Sequence, residues 1–362
     1  YLDRVTAGPI DLREKFDKYG EYIEYEDTEV GEIDERIEDV DVVITTRIRL
    51  GKKQFEKAKK LKLILITATG FNHIDVKSAN EFGIKVANVS GYSTNSVAQL
   101  AITFLLNELT PVNKYFEEVK NGKWIDIDVP DYQKYPIDDV EGKILGIVGF
   151  GNIGKKVAQM AEALGMEVMV AKSAGKNYKK VEEDGILRHD LDEVLEKCDV
   201  LTLHVPLTDS TRNLIDLEKM KKMKRSARIL NLARGPVINQ DDLYFALKNK
   251  IIKSAAIDVT SVEPIEKNSK LFELDNIVIT PHIAWKSEKS MITLMNDVEK
   301  NLKLFIEYNE NDSYRNIQKF MMDLNPDNNI IVLEFISMMP INEIIKLKDV
   351  IKEKKIEDFV SF

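Results

Sequence analysis

Three side chains, each placed just beyond a separate apolar run, carry the chemistry legible in this chain. Arg234 follows Ile229–Leu232, inside Asn231-Leu-Ala-Arg-Gly-Pro236. Glu263 follows Ala255–Val259, inside Asp258-Val-Thr-Ser-Val-Glu-Pro264. His282 follows Ile277–Thr280 and Pro281. A guanidinium is a planar fork that binds a carboxylate and polarises the carbonyl next to it. An imidazole can hand a proton to a carbonyl oxygen as hydride reaches the carbon. A carboxylate beside an imidazole favours its protonated form. Together they are the groups that reduction of a 2-keto acid requires. Each alone has an ordinary reading as an ion-pair partner, a Glu-Pro turn or a capped strand end. Their conjunction at strand ends gives them weight, because open parallel sheets bind ligands along that edge.

A hydride needs a carrier, and Lys143-Ile-Leu-Gly-Ile-Val-Gly-Phe-Gly-Asn-Ile-Gly-Lys155 supplies a place for one. The apolar run Ile144–Val148 leads into Gly149, Gly151 and Gly154, and Val157, Met160, Ala161 and Leu164 then recur at helical spacing. In a strand–turn–helix setting the first glycine permits the turn, the second admits a pyrophosphate and the third lets helix pack on strand. The free N–H groups of the helix start, from Asn152, Ile153 and Gly154, face a phosphate with a favourable dipole. His204 ends the run Val200–Val205 and reads as a lining residue of the cofactor cleft without a part in proton transfer. His73 reads as a neutral surface residue at the polar start of a helix. No His, Cys and Asp cluster has metal-ligand spacing, so no metal is expected.

An NAD-specific fold carries Asp or Glu at the end of the second strand, roughly 20 residues beyond the glycines, to hold the ribose hydroxyls. Here that strand is Val168–Ala171, and Lys172 follows it, with Ser173 and Lys176 close by; Glu167 precedes the strand. Lysine attracts a 2′-phosphate and cannot accept ribose hydrogen bonds, so NADP(H) is the favoured form of an NAD(P) cofactor.

The elements that must position these groups follow from patterning. Strands are expected at Val40–Thr45, Leu61–Thr67 and Ile84–Val89, with helices at Gln54–Lys60, Phe71–Phe82 and Ser93–Leu109, the last stopped by Pro111. Its apolar face is expected from Val97, Leu100, Ala101, Phe104, Leu105 and Leu106. Residues Lys120–Glu141 read as a surface connection. From Lys143 a second series of short apolar strands begins, with helices at Asp190–Lys197 and Gln240–Lys248. Strands without clean alternation have both faces covered. The expected fold is therefore α/β with two doubly wound parallel-sheet domains. A Rossmann nucleotide-binding domain (94–285) is inserted into a flavodoxin-like substrate domain (1–93 and 286–318). A helix over Glu288–Tyr308 returns to the first sheet. Residues 319–362 are an extension of undecided role, with a possible strand at Ile330–Ile336 and helical spacing over Ile341–Lys354.

The 362 residues exceed one typical domain. Hydrophobic content of 44% and charged content of 31% describe a globular protein. A net charge of −9 argues against a nucleic-acid surface and requires local capture of any anionic substrate. Cys198 stands alone and reads as a reduced buried residue. No apolar run reaches membrane-span length and no leader is read, so a cytoplasmic location without membrane attachment is expected.

From about Tyr1 to Gln318 the chain resembles the D-isomer-specific 2-hydroxyacid dehydrogenases. The resemblance rests on Gly149–Gly154, His204-Val-Pro-Leu-Thr208, Asn231–Pro236, Asp258–Pro264 and Thr280-Pro-His-Ile-Ala-Trp285. Gly91–Gln99 and Thr67–Asn72 are similar to the glycerate dehydrogenase (hydroxypyruvate reductase) branch. The resemblance implies Arg234, Glu263 and His282 as the catalytic trio. It implies cofactor contacts from Pro206 and Ala233, and from Asp258 at the nicotinamide carboxamide. It implies backbone N–H groups of Ala68, Thr69 and Gly70 at the substrate carboxylate, and a homodimer formed through nucleotide-binding domains. The expected reaction interconverts a small 2-keto acid, hydroxypyruvate or glyoxylate, with D-glycerate or glycolate. Alternatives are a dehydrogenase for 3-phosphoglycerate or formate, for which Arg47 and Arg49 leave room, and a dinucleotide-sensing interaction protein similar to the family's co-repressors.

Overall fold

The structure, a computed structural model, describes residues 1–124, 134–172 and 185–310, the last three as backbone only. Ser173, Lys176 and the expected elements at 330–336 and 341–354 lie outside the described residues. The chain divides into two compact units, Tyr1–Tyr92 with the described residues from Glu288, and Ser93–Ser287.

The first unit holds β1 (Val42–Thr45), β2 (Leu63–Ile66) and β3 (Lys85–Ala87), all parallel in the order β1-β2-β3. β2 reads Leu-Ile-Leu-Ile and all four residues are buried, as a central strand covered on both faces must be. Leu2 donates its N–H to the Ile44 carbonyl, so the N-terminal segment runs along β1. The helix Glu288–Glu310 packs on β2, and Met291, Leu294, Met295, Val298, Leu302 and Phe305 form its buried stripe at helical spacing. Two expected helices are shorter than the pattern implied: Lys52–Phe55 and Val76–Glu81.

The second unit is one seven-stranded parallel sheet. Its strands are β4 (Ile144–Val148), β5 (Glu167–Ala171), β6 (Arg188–His189), β7 (Val200–Leu203), β8 (Arg228–Asn231), β9 (Ser254–Ile257) and β10 (Ile277–Ile279). Their order is β10-β9-β8-β7-β4-β5-β6. Counted from β4 this is the dinucleotide-fold order with one strand added, and the chain reverses direction across the sheet between β4 and β7. Alternate residues enter opposite cores. Leu145, Ile147, Val200 and Leu230 join the helices Thr94–Leu109 and Asn152–Ala163 on one face. Val148, Leu201, Leu203 and Ile229 face the other core, with Val194, Leu195, Met220, Leu243 and Ala246 from the helices Leu191–Lys197, Leu217–Lys222 and Gln240–Lys248. That period of two is what anchors every strand's register.

Several expectations need correcting. Leu106 is exposed, and Ile102 and Leu109 complete the buried face of the helix Thr94–Leu109 instead. Pro111 ends that helix but caps another, Val112–Lys120, for which no element was expected. Glu167 is the first residue of β5, not a residue before it; it still lies at the end opposite Lys172. β6, only two residues long, has too little sequence to show a pattern. Cys198 is buried, and burial pushes its thiol up to about 12.

Candidate active site

Every group proposed for cofactor or catalysis in the second unit follows the C-terminal end of a parallel strand. The glycine turn leaves β4, Lys172 leaves β5, His204 leaves β7, Arg234 leaves β8, Asp258 leaves β9 and His282 leaves β10. Gly149 has φ +97°, and a Cβ there would come within 2.5 Å of the His204 carbonyl oxygen. A Cβ on Gly154 would overlap the Gly149 carbonyl, whereas one on Gly151 would meet nothing within 4 Å. The first and third glycines are thus demanded by packing, while the second borders open space at the head of the helix Asn152–Ala163. This is a cradle that fits a pyrophosphate, with the Asn152, Ile153 and Gly154 amides at the helix N-terminus.

His282 and Glu263 meet directly: Nδ1 of His282 lies 2.7 Å from Oε2 of Glu263. The other oxygen, Oε1, accepts the Thr260 N–H at 3.1 Å. Burial alone would push the Glu263 carboxyl up. The hydrogen bond and charge of His282, the Thr260 N–H and the charge of Arg234 outweigh it and hold the group below the usual carboxylate range. The Arg234 charge therefore bears on the same carboxylate that holds His282. Both members of the His–Glu pair keep 39% of their side-chain surface exposed, so a substrate can reach the imidazole.

His282 has φ +54°, a left-handed conformation in which histidine is commoner than most side chains but still scarce. The buried Asp258 carboxylate holds the loop in that shape. Its Oδ1 accepts the Thr280 hydroxyl and the Ile283 N–H at 2.9 Å, and its Oδ2 accepts the Ala284 N–H at 2.8 Å. Three of its roughly four acceptor directions are thereby used, leaving one for an amide. Thr260, Thr280 and this looping role of Asp258 were not visible in the sequence.

Arg234 stands on a turn built by Asn231, whose Oδ1 accepts the Ala233 N–H at 3.1 Å and whose Nδ2 donates to the Arg234 carbonyl at 3.0 Å. The guanidinium Nη1 donates to the Ala233 carbonyl at 2.7 Å. Gly235 follows because a Cβ there would overlap the Thr260 carbonyl and sit 2.6 Å from the Ser261 amide nitrogen. Backbone cannot yield as a flexible side chain would. Gly235→Ala is expected to lower stability by at least about 3 kcal/mol and to displace Arg234. An unchanged urea midpoint and unchanged turnover would contradict this packing.

His204 donates its N–H to Val148, and its Nε2 lies 2.9 Å from the Thr202 hydroxyl. Nδ1 is shielded from solvent and has no hydrogen-bond partner among the described residues. Burial pushes this imidazole from 6.5 down to about 4. The unfolded chain therefore binds the proton more readily between those values. Stability contributed by neutral His204 is complete above the unfolded value and is lost as pH falls toward the folded one. The loss should reach up to about 3 kcal/mol in the dinucleotide-free protein. Urea midpoints of the parent and His204→Gln should diverge across that window; parallel pH curves would rule the effect out.

Pro206 is exposed and Ala233 buried, each just beyond a strand end. Lys172 is not free, since its Nζ pairs with Asp190 Oδ1 at 2.8 Å. The remaining sites lie in the first unit. Ala68, Thr69 and Gly70 follow β2, where Thr69 Oγ1 donates to the Val89 carbonyl at 3.0 Å. Among the described residues the N–H groups of Ala68, Thr69 and Gly70 donate to no protein acceptor. Arg47 pairs with Asp27 at 2.6 Å. His73 precedes the helix Val76–Glu81 and is half-buried, not a surface residue; burial, helped by the Arg49 charge, pushes it down to about 4. Among the described residues no group of three His, Cys, Asp or Glu side chains is arranged to hold a metal ion. No described helix is long and apolar enough to cross a membrane.

Strand order, glycine turn and the His–Glu pair together define a dinucleotide-dependent oxidoreductase. The profile of the D-isomer specific 2-hydroxyacid dehydrogenase NAD-binding domain matches residues 102–284. The chain is 38% identical to a hydroxypyruvate reductase of Blautia hydrogenotrophica over 276 residues, 76% of this chain and 85% of that one. It is 36% identical to a glycerate dehydrogenase of Methylorubrum extorquens, again over 76% and 85%. An acyclic imino acid reductase solved with NADPH and D-Arg superposes with a TM-score of 0.74 at 26% identity, over 83% of this chain and 94% of that one. The chain belongs to the D-isomer-specific 2-hydroxyacid dehydrogenases. It is an oxidoreductase that acts on the CH–OH group of a 2-hydroxy acid with a nicotinamide dinucleotide.

Proposed function

We propose that this enzyme reduces hydroxypyruvate and glyoxylate to D-glycerate and glycolate, with NADPH as the favoured reductant. The observation that carries the reading is the His282–Glu263 hydrogen bond of 2.7 Å, formed beside Arg234 at the strand ends. The names of the relatives, hydroxypyruvate reductase and glycerate dehydrogenase, support the choice of acid. The glycine cradle would hold the pyrophosphate, and Asp258, His204, Pro206 and Ala233 would line the rest of the dinucleotide. When bound, the reduced nicotinamide supplies the hydride for the C2 carbonyl carbon.

The chain's own residues do the remainder. Arg234 binds the substrate carboxylate and draws electron density toward the adjacent carbonyl oxygen. With Nδ1 of His282 engaged by Glu263, Nε2 is the nitrogen left to exchange a proton. His282 releases that proton to the carbonyl oxygen, completing the hydroxyl, and Glu263 stabilises the cationic ring before transfer. The amides of Ala68, Thr69 and Gly70, which meet no protein acceptor among the described residues, suit donors to a carboxylate and support the reading of the first unit as the substrate domain. Lys172 stands where an acid would hold the ribose, and the acid Glu167 is at the far end of β5. That supports a 2′-phosphate ligand. We also infer a homodimer formed through the second unit, where Val112, Phe116 and Val119 expose one face of a helix; light scattering that reads a single chain would remove it. A spectrophotometric screen of hydroxypyruvate, glyoxylate, 3-phosphohydroxypyruvate and pyruvate with both cofactors tests the reading. Hydroxypyruvate with NADPH should give the largest kcat/KM, and a strong preference for NADH or for the phosphorylated acid would overturn it.

A further inference from the structure

We propose that Asp190 is a second cofactor-selecting residue, which opposes the 2′-phosphate that Lys172 attracts and takes over the ribose-binding part of the missing acid. The proposal rests on the reading that the dinucleotide lies on the glycine turn with its ribose at the end of β5.

Lys172 is the first residue after β5 and Asp190 the first after β6. The two strands pair, with Ala171 opposite His189, and the Lys172 N–H donates to the His189 carbonyl at 2.8 Å. The side chains therefore emerge side by side, and Nζ meets Oδ1 at 2.8 Å. Asp190 is also the N-cap residue of the helix Leu191–Lys197. An aspartate there ordinarily gives its oxygen to a free N–H of the first turn. Asp190 makes no such bond. Its carboxylate turns to Lys172 instead, and it remains 76% exposed.

A carboxylate accepts the hydrogen bonds of ribose hydroxyls, which an ammonium cannot do. One strand further along the sheet, Asp190 supplies the acceptor that β5 lacks. A 2′-phosphate entering the same place must share Lys172 with Asp190 and sit close to a like charge. An exposed ion pair is weak enough to be exchanged for a ligand. The pair thus admits both cofactors and moderates the preference for the phosphorylated one.

Calorimetric titration of the full chain with adenosine 2′,5′-bisphosphate and with 5′-AMP reads this end of the site without the nicotinamide. Asp190→Asn should tighten the bisphosphate about fivefold to tenfold and weaken 5′-AMP about threefold. Lys172→Gln should weaken the bisphosphate about tenfold and leave 5′-AMP within twofold. If Asp190→Asn moves neither ligand while Lys172→Gln weakens the bisphosphate, the Asp190 proposal is overturned and the Lys172 reading stands. If neither variant moves either ligand, the Lys172 reading falls and the proposal with it. Lys172 is half-buried and Asp190 exposed at adjacent strand ends, so both variants are expected to fold, which parental thermal midpoints would check.

Discussion

Replacing His282 by glutamine is expected to lower kcat by about 10²- to 10⁴-fold, with folding and dinucleotide binding retained. Glutamine keeps a polar group near Glu263 but has no proton to give at neutral pH. The loss should fall on kcat more than on KM, because proton delivery matters at the transition state and little in the ground state. The fold should tolerate the change. His282 sits in a left-handed turn that is held from outside, by Asp258 through Thr280, Ile283 and Ala284. Steady-state kinetics with calorimetric cofactor titration reads both halves, and a variant with parental kcat would remove His282 from the chemistry.

Replacing Arg234 by lysine should lower kcat/KM by roughly 10²-fold, and by glutamine roughly 10³-fold, about 4 kcal/mol of transition-state stabilisation. Lysine keeps the charge and loses the fork; glutamine loses both. The two variants separate the parts that a single substitution would merge. Arg234 also bears on Glu263, which it helps to hold below the usual carboxylate range. Loss of its charge should therefore raise the pH at which activity falls away on the acid side. Glu263 with a depressed value is ionised above it, and the support it gives His282 disappears as pH drops through that value. Pre-steady-state rates over a pH series check this. Equal rates in the lysine and glutamine variants would show that the charge is irrelevant, and parental rates in both would show that the fork is irrelevant too.

Much of this was legible before any coordinates. Arg234, Glu263 and His282 were legible as candidates because each lies beyond an apolar run, and a parallel sheet gathers such ends on one edge. The glycine turn was readable because strand, glycines and helical spacing are contiguous in sequence. What escaped was pairing across the chain. Lys172 meets Asp190 across 18 positions, and Asp258 meets Thr280 across 22. No local pattern encodes which carboxylate a lysine will choose. An aspartate at a helix N-cap ordinarily turns to its own helix, and Asp190 does not. Short elements escaped for another reason: β6 has two residues and shows no periodicity. Pro111 was seen as a stop, but a proline compatible with one helix end can also open the next.

The most direct test is the loss of reduced-nicotinamide absorbance when the purified chain is mixed with hydroxypyruvate and NADPH. Turnover at roughly 1 to 10³ per second is expected, with loss of at least about 10² in His282→Gln. A folded protein that binds dinucleotide tightly yet turns over neither hydroxypyruvate nor glyoxylate with either cofactor would contradict it.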